Sequence, residues 1–194
     1  MIRFEGKIAI VTGGRSGIGQ AIARRLRDEG ARVFTAQRGE DHEFEHVGAD
    51  FSDPHCPSQV VGEVIEQAGQ LDVLINNAGI GGGVALEETP MDDLRHMMET
   101  NFFGPIDLMQ RVVPEMRERG SGAILNVTSM NGLVALAPMM SYTASKYALE
   151  AATEVLAMEM KGFGVRVALI EPGVVMTPIF EKLSGLVKTA DHSS

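Results

Sequence analysis

Apolar residues in this chain occur in two alternating patterns: short continuous runs, and longer stretches with a helical period. The short runs have the length and composition of buried strands. They lie at residues 7–11, 31–36, 47–49, 71–75, 123–127 and 165–170. Between most of them, apolar residues recur every three or four positions, as on one face of a helix. Strands that alternate with helices predict an α/β domain.

The predicted connections between the strands differ in length. Residues 39–45 form an acidic connector without helical periodicity, so we expect the helix between the second and third strands to be missing or reduced. Residues 91–117 carry a long apolar stripe at helical spacing, with Pro90 near its start, and predict one long helix. A further helix is predicted from Tyr142 to about Lys161.

Composition and charge narrow the class of protein. The chain has 194 residues, of which 44% are hydrophobic and 22% charged, as in an ordinary globular domain with one core. A formal charge of -9 without a basic run argues against nucleic-acid binding. No apolar stretch is long enough to span a membrane, and the start does not resemble a secretory signal. With a single cysteine, Cys56, we expect a cytoplasmic protein.

The segment from Ser129 to Lys146 carries the clearest candidate chemistry. Tyr142 and Lys146 are four residues apart, so on a helix they share one face. A fixed ammonium group next to a phenol favours the phenolate, and we therefore expect Lys146 to lower the pKa of Tyr142 for proton transfer. Ser129 follows a buried strand directly, where its hydroxyl can hold a substrate oxygen.

Residues 12–19 form a glycine-rich turn between the first strand and the first helix. Gly13, Gly17 and Gly19 follow the spacing Gly-x-x-x-Gly-x-Gly, which differs from the commoner Gly-x-Gly-x-x-Gly. Such a turn brings main-chain amides and the positive end of a helix toward a pyrophosphate. A tight strand-to-helix turn without a ligand remains the alternative.

The ends of the second and third strands bear on the choice of cofactor. An acidic residue after the second strand would bind the adenosine ribose 2′-hydroxyl, whereas a cation favours a 2′-phosphate. The chain has Gln37 and Arg38 there, with Arg15 in the glycine turn, which favours NADP and leaves NAD possible. Arg38 could equally be a solvated loop cation. Asp50 could accept from an adenine amino group or cap a turn.

Four motifs in order resemble the short-chain dehydrogenase/reductase family. They are T-G-G-R-S-G-I-G at 12–19, N-N-A-G at 76–79, Ser129 with Y-T-A-S-K at 142–146, and P-G-V-V-M-T at 172–177. The resemblance implies a doubly wound parallel sheet of the Rossmann type in three α/β/α layers, forming a single domain over residues 1–178. It implies that residues 179–194 begin a substrate lid and a polar tail, without the family's C-terminal strand.

The family pattern assigns roles to particular residues. Asn101, Ser129, Tyr142 and Lys146 are expected to be catalytic, with Asn101 anchoring a water that leads to the lysine. Cofactor binding is expected for Gly13, Arg15, Ser16, Gly17, Ile18, Gly19, Arg38, Asp50, Phe51, Asn77, Ala78, Gly79, Tyr142, Lys146, Pro172, Gly173, Val175 and Thr177. No metal is expected, because the five histidines form no H-E-x-x-H motif.

Together these features predict an NADP(H)-dependent oxidoreductase. The expected reaction moves a hydride between the nicotinamide and an alcohol or carbonyl group of a small substrate. Residues 146–173 are similar to the hydroxysteroid and retinol dehydrogenase branch, and apolar residues such as Leu136 and Met139 near the site would suit an apolar substrate. The family also implies a homodimer or homotetramer. The alternative is a non-catalytic NADP(H)-binding sensor or interaction protein on the same fold.

Overall fold

The computed structural model describes residues 2–175, and within them a single parallel sheet of six strands organises the chain. The strands are β1 (Ile8–Thr12), β2 (Arg32–Gln37), β3 (Glu45–Gly48), β4 (Val73–Asn76), β5 (Gly122–Val127) and β6 (Val165–Ile170). Their order across the sheet is β3-β2-β1-β4-β5-β6. β1 and β4 lie at its centre and are buried along their whole length, which explains their continuous apolar sequences.

Helices cover both faces of this sheet and complete three layers. The helices are α1 (Gly17–Asp28), α2 (Cys56–Ala68), α3 (Met91–Met98), α4 (Gly104–Arg119) and α5 (Met140–Glu159). Val60 of α2, Leu108 of α4 and Leu149 of α5 belong to the core on one face. Ala23 and Leu26 of α1 belong to the core on the other. The doubly wound fold predicted from the sequence is confirmed.

The segment between β2 and β3 contains no helix, as the acidic connector predicted. Its carboxylates instead pair with arginines of α1 and β2. Glu43 accepts hydrogen bonds from Arg24 and Arg27, and Glu45 accepts a pair from Arg32 at 2.7 Å each. The connector is therefore held against the sheet edge by exposed ion pairs rather than by a helical core contact.

The helix predicted over residues 91–117 is present, and the chain is helical without a break from Met91 to Arg119. α3 and α4 are separated by a π-helical turn, Glu99–Phe103, which carries Asn101. Apolar spacing did not reveal the turn, because the wider hydrogen-bond spacing extends over one turn only. Asn101 is fully buried there, and its side chain bonds a neighbouring loop instead of solvent. π-Helical turns of this kind are frequent at functional sites.

The strand order places a cleft at the centre of the sheet. From β1 the chain winds outward to β2 and β3, and then returns to the opposite side of β1 to begin β4. The connections that leave β1 and β4 therefore diverge, and ligands of such sheets bind in the resulting crevice at the carboxyl ends of the strands. None of the helices within residues 2–175 is long and apolar enough to cross a membrane.

Candidate active site

A cavity of about 610 Å³ opens at this crevice. Its volume is within the range of roughly 300–1,000 Å³ that is usual for small-molecule and cofactor sites. Most of the residues predicted from the sequence to bind cofactor or substrate line it. They are Gly13, Ser16, Gly17, Ile18, Arg38, Asp50, Phe51, Asn77, Ala78, Gly79, Ser129, Tyr142, Lys146, Pro172, Gly173 and Val175.

Among the described residues, three of the predicted site residues are not part of this lining. Arg15 lies outside it, with its guanidinium against the backbone of Gly39 and Glu40. Gly19 is buried beneath the glycine turn, and Asn101 lies behind the cavity wall. Thr177 lies outside the described residues. Gly19 and Asn101 therefore act on the cavity only through the groups they support.

The glycine turn needs its glycines for steric reasons. Gly13 has a φ of +64°, a conformation that other residues rarely adopt. A Cβ on Gly14 would fall within 3.0 Å of the Thr35 side chain, and a Cβ on Gly19 would fall within 3.0 Å of the Gly13 carbonyl oxygen and the Asn77 amide nitrogen. The turn thus packs so closely against Thr35 of β2 and Asn77 after β4 that there is no space for side chains at Gly14 and Gly19.

The start of α1 faces the cavity with free amides. Ser16 is its N-cap, and its side chain caps none of them. Ser16, Gly17 and Ile18 all line the cavity. Amides at a helix N-terminus form a site suited to an anion such as a pyrophosphate. The residues present therefore fit a dinucleotide cofactor at this position.

Thr12 holds the glycine turn and the N-N-A-G segment together, a role that the sequence analysis missed. Its hydroxyl oxygen accepts hydrogen bonds from the amides of Asn77 and Ala78, each at 2.9 Å. The Asn77 side chain donates in return to the carbonyl oxygens of Thr12 and Gly13. The sequence does contain a signal for this role, because Thr12 is a polar residue at the end of a buried strand.

Ser129 and Tyr142 lie next to each other on the cavity wall, within hydrogen-bonding reach. Ser129 is the N-cap of a short 3-10 turn, Met130–Gly132, and its Oγ accepts from the Asn131 amide at 3.1 Å. This bond orients the Ser129 hydroxyl toward Tyr142 on α5. Burial raises the pKa of the Tyr142 phenol, and hydrogen bonding with Ser129 opposes that rise.

Lys146 lies one turn after Tyr142, and its side chain is buried. Its ammonium group donates to the Val127 carbonyl oxygen at 3.0 Å and is 5.8 Å from the centroid of the Tyr142 ring. Loss of hydration lowers the pKa of Lys146 to about 8, while the charge of Glu150 opposes that shift. A lysine in this condition is a fixed cation whose charge is close to being lost at mildly alkaline pH.

The pKa of Tyr142 is not lowered overall in this structure, contrary to the expectation from its spacing to Lys146. The pKa of Tyr142 is raised, because burial of the phenol outweighs the hydrogen bonding with Ser129. The helical spacing of Tyr142 and Lys146 correctly placed them on one face, yet spacing carries no information on desolvation. Burial disfavours the charged form of both groups, so it raises one pKa and lowers the other.

Asn101 connects the π-helical turn to the loop after β4 and to α5. Its Oδ1 accepts from the Ile80 amide and its Nδ2 donates to the Ile80 carbonyl oxygen, both at 2.8 Å. The same Nδ2 lies 3.1 Å from Ser145 Oγ, which itself donates to the Tyr142 carbonyl oxygen at 2.7 Å. Ser145 was not singled out from the sequence, although it stands directly before Lys146.

Buried amides also fix α5 on the sheet. Asn76 donates to the Asn126 side chain at 2.8 Å, and Asn126 donates to Thr153 at 2.7 Å. This chain of bonds connects β4, β5 and α5 below the cavity. The sequence analysis assigned no contact to Asn126 or Thr153, because nothing local in the sequence pairs residues that far apart.

Polar groups at the ends of β2 and β3 form the far end of the cavity. Gln37 and Arg38 line it, and the Gln37 Oε1 atom is buried without a hydrogen-bond partner. Asp50 accepts bonds from the Ser52 amide and hydroxyl, which lower its pKa, and it lies 4.0 Å from the Arg38 guanidinium. Asp50 therefore caps a turn, one of its two predicted roles, while also lining the cavity.

The fold is a doubly wound α/β sheet, and its cavity holds a half-buried tyrosine, a buried lysine and a buried serine together with a glycine-lined helix terminus. Residues 7–185 match the family model described as short chain dehydrogenase. The chain belongs to this family of oxidoreductases, whose members use NAD or NADP.

Individual relatives agree with this assignment. A 3-ketodihydrosphingosine reductase of Bacteroides thetaiotaomicron is 35% identical over 173 residues, which are 88% of this chain and 64% of the relative. An L-fucose dehydrogenase of Rattus norvegicus is 33% identical over 94% of this chain and 71% of its own length. The solved structure of an aldohexose dehydrogenase of Thermoplasma acidophilum superposes with a TM-score of 0.90 at 26% identity, covering 98% of this chain and 75% of that one. The chain thus spans about two thirds to three quarters of these proteins.

Proposed function

We propose that the protein is an NADP(H)-dependent oxidoreductase that interconverts an alcohol and a carbonyl compound, with Tyr142 as the acid or base. The main support for this proposal is that one cavity is lined by Ser129, Tyr142 and Lys146 and also by the start of α1. The cofactor would lie with its pyrophosphate on Ser16, Gly17 and Ile18. Its nicotinamide would lie near Pro172 and Gly173.

Each of the site residues has a separate role in the proposed reaction. Hydride transfer is the chemistry that bound NADP(H) supplies. Ser129 donates a hydrogen bond to the substrate oxygen and stabilises the negative charge that develops there. During reduction Tyr142 gives its proton to that oxygen, and the nearby Lys146 ammonium stabilises the resulting phenolate. Asn101 and Ser145 hold the loop and helix that carry this proton path.

The choice of NADP rests on the far end of the cavity. Arg38 lines it, exposed to solvent and able to reach a 2′-phosphate. Asp41 in the connector accepts from the Thr35 hydroxyl at 2.7 Å and does not line the cavity. Arg38 therefore offers positive charge where the adenosine ribose would lie.

Replacing Arg38 by Ala is expected to weaken NADPH binding about tenfold, because one charge-assisted contact to phosphate is lost. NADH binding should change less than about twofold. Fluorescence titration of both reduced cofactors measures the two dissociation constants. Arg111→Ala is the control, since that exposed arginine pairs with Asp107 on α4. Tighter binding of NADH than of NADPH by the unmodified protein would overturn the assignment.

An apolar substrate of the steroid, retinoid or ketone type is favoured by the cavity mouth. Leu136 and Met139 line the cavity, and Leu133 and Val134 are exposed beside it. Flexible and apolar side chains of this kind suit a substrate with few polar groups. A panel of carbonyl compounds that includes sugars and apolar ketones tests this choice, with reduced nicotinamide absorbance as the signal. Faster turnover of the sugars would contradict it.

Assembly into a homodimer or homotetramer is part of the proposal. Phe103 at the start of α4 and Val155 and Met158 on α5 expose large apolar side chains to solvent. Contiguous apolar surface on neighbouring helices is typical of subunit contacts. Light scattering should then give a multiple of the 20.9 kDa chain mass.

The alternative is a sensor that binds NADP(H) without turning it over. Retention of Ser129, Tyr142 and Lys146 around one cavity favours the enzyme, since cofactor binding alone needs no acid opposite a hydroxyl donor. Absorbance at the reduced nicotinamide band distinguishes the two functions. Cofactor binding without turnover of any alcohol or carbonyl compound would favour the sensor.

A further inference from the structure

Glu150 is a buried carboxylic acid directly below the candidate active site. It lies one helical turn after Lys146 on α5, and only 6% of its surface is exposed. Its Oε2 atom is buried and has no hydrogen-bond partner. Glutamate is rarely buried unless something compensates its charge. A buried carboxyl group with an unpaired oxygen therefore indicates a specific role.

The space for this carboxyl group is provided by Gly132. A Cβ on Gly132 would lie 3.1 Å from Glu150 Oε2, so the short turn after Ser129 packs directly against the acid. Gly132 is also buried, and its amide donates to the Ser129 carbonyl oxygen at 2.7 Å. The turn that carries Ser129 and the helix that carries Lys146 thus enclose Glu150 from both sides.

Charged and titratable groups face Glu150 from two elements. Lys146 and Glu154 lie one turn away on α5, and Glu171 follows the end of β6. Thr128, at the end of β5, adds a hydroxyl that stabilises the charged form. Lys146 is the cation in this set, whereas Glu171 raises the pKa of Glu150 by hydrogen bonding with its carboxyl group, and Glu171 and Glu154 also repel its negative charge.

We propose that Glu150 is a positioning residue for the reaction proposed above, and that its carboxylate keeps the buried Lys146 ammonium charged beside Tyr142. The effect of Glu150 on catalysis rests on the oxidoreductase function proposed above. Lys146 is dehydrated, and its one hydrogen bond at 3.0 Å goes to a neutral carbonyl group, which cannot replace a counter-charge. Glu150 supplies the missing negative charge from the next turn.

The two groups support each other within a limited pH range. Burial lowers the pKa of Lys146, and the charge of Glu150 raises it. Burial also raises the pKa of Glu150, as do Glu171 and Glu154, while the Thr128 hydroxyl lowers it. At acid pH Glu150 takes up a proton and Lys146 loses its partner. At alkaline pH Lys146 itself loses its charge.

The first test compares the pH dependence of kcat for carbonyl reduction in Glu150→Gln and the unmodified protein. Reduction should fall at alkaline pH as Lys146 is deprotonated, starting from its pKa of about 8. Without the carboxylate this loss should begin about one pH unit lower, the shift expected for two unit charges about ten ångströms apart at an effective dielectric constant of about 20. KM for the carbonyl substrate should change little, because Glu150 does not line the cavity.

Three further variants show whether the shift of the alkaline limb is caused by the charge of Glu150. Glu154→Gln removes a neighbouring carboxylate from the exposed side of α5 and should leave the alkaline limb in place. Glu150→Asp keeps the charge and should restore at least half of the shift. Should Glu150→Gln fold poorly, Glu150→Met removes the same charge without burying an unpaired polar group, and should reproduce the shift.

A second test requires no turnover. The pKa of Lys146 is lower in the folded chain, about 8, than in the unfolded chain, 10.5. Between pH 8 and 9 the unfolded chain therefore binds more protons, and stability should rise with pH; above pH 9 the buried Cys56 thiol, whose pKa is raised to about 11, acts in the opposite direction. In Glu150→Gln the rise should start about one pH unit lower. Lys146→Met should abolish the rise, and the double variant should match Lys146→Met.

The outcomes separate this proposal from the function on which it rests. If the protein turns over no substrate, the enzymatic function fails, while the unfolding measurement still decides whether Glu150 supports the charge of Lys146. If Glu150→Gln leaves both the alkaline limb and the unfolding curve within about 0.3 pH units of the unmodified protein, Glu150 is only a packing residue and the proposal is wrong.

Discussion

Tyr142→Phe is expected to lower kcat by about 10²–10⁴-fold, the usual contribution of a positioned acid or base. The ring remains, so the packing around α5 and the Lys146 contact at 5.8 Å are kept while the proton is lost. NADPH binding should change less than about threefold, because Tyr142 contributes at most one hydrogen bond to the cofactor. Stopped-flow absorbance gives the rate, and fluorescence titration gives the dissociation constant.

The chain offers a matched control for this substitution. Tyr147 lies on the same helix, and its hydroxyl donates to the Leu133 carbonyl oxygen at 2.6 Å, on the exposed side of α5. Tyr147→Phe removes the same atom from a position outside the cavity, and kcat should stay within about twofold. Retained turnover in Tyr142→Phe would remove Tyr142 from the proposed mechanism.

Gly19→Ala is expected to abolish NADPH binding and to destabilise the fold by about 1–3 kcal/mol. A Cβ there would overlap the carbonyl oxygen and carbon of Gly13 and the Asn77 side-chain amide, and the two Gly13 atoms belong to the main chain and cannot rotate away. Relief of the clash must displace the glycine turn or the start of α1. Both carry the amides on which the pyrophosphate would bind.

Gly62→Ala is the control for the glycine substitution. Gly62 lies within α2, and a Cβ there would meet nothing within 4 Å. Alanine is the better helix former, so this variant should gain up to about 1 kcal/mol and bind NADPH normally. Chemical denaturation measures both stabilities. A Gly19→Ala variant as stable as Gly62→Ala, with unchanged cofactor affinity, is incompatible with the role given to the turn.

Much of the fold followed from local pattern. The central strands carry continuous apolar sequence because the sheet buries them on both faces, and their positions were predicted within a few residues. The missing helix before β3 followed from charge and length alone. The π-helical turn at Asn101 did not, because it changes the hydrogen-bond spacing of the backbone over one turn only.

The candidate site was predictable where its parts are close in sequence. Tyr142 and Lys146 share a helical turn, and Ser16, Gly17 and Ile18 share a helix start, so spacing was sufficient. The contacts of Thr12 with Asn77 and of Asn101 with Ile80 join residues 65 and 21 positions apart. Contacts over such separations depend on the order of the strands in the sheet, and this order cannot be predicted from any single segment of the sequence.

The sequence by itself determined which chemical groups the site contains: a phenol, an ammonium group, a hydroxyl and a glycine-rich helix start. The tertiary structure decided how those groups ionise. Desolvation depends on every atom packed around a group, and it raises the pKa of Tyr142 while lowering that of Lys146. The same packing buries Glu150 beside Lys146, and the balance between lost hydration and gained counter-charge exists only in the folded chain.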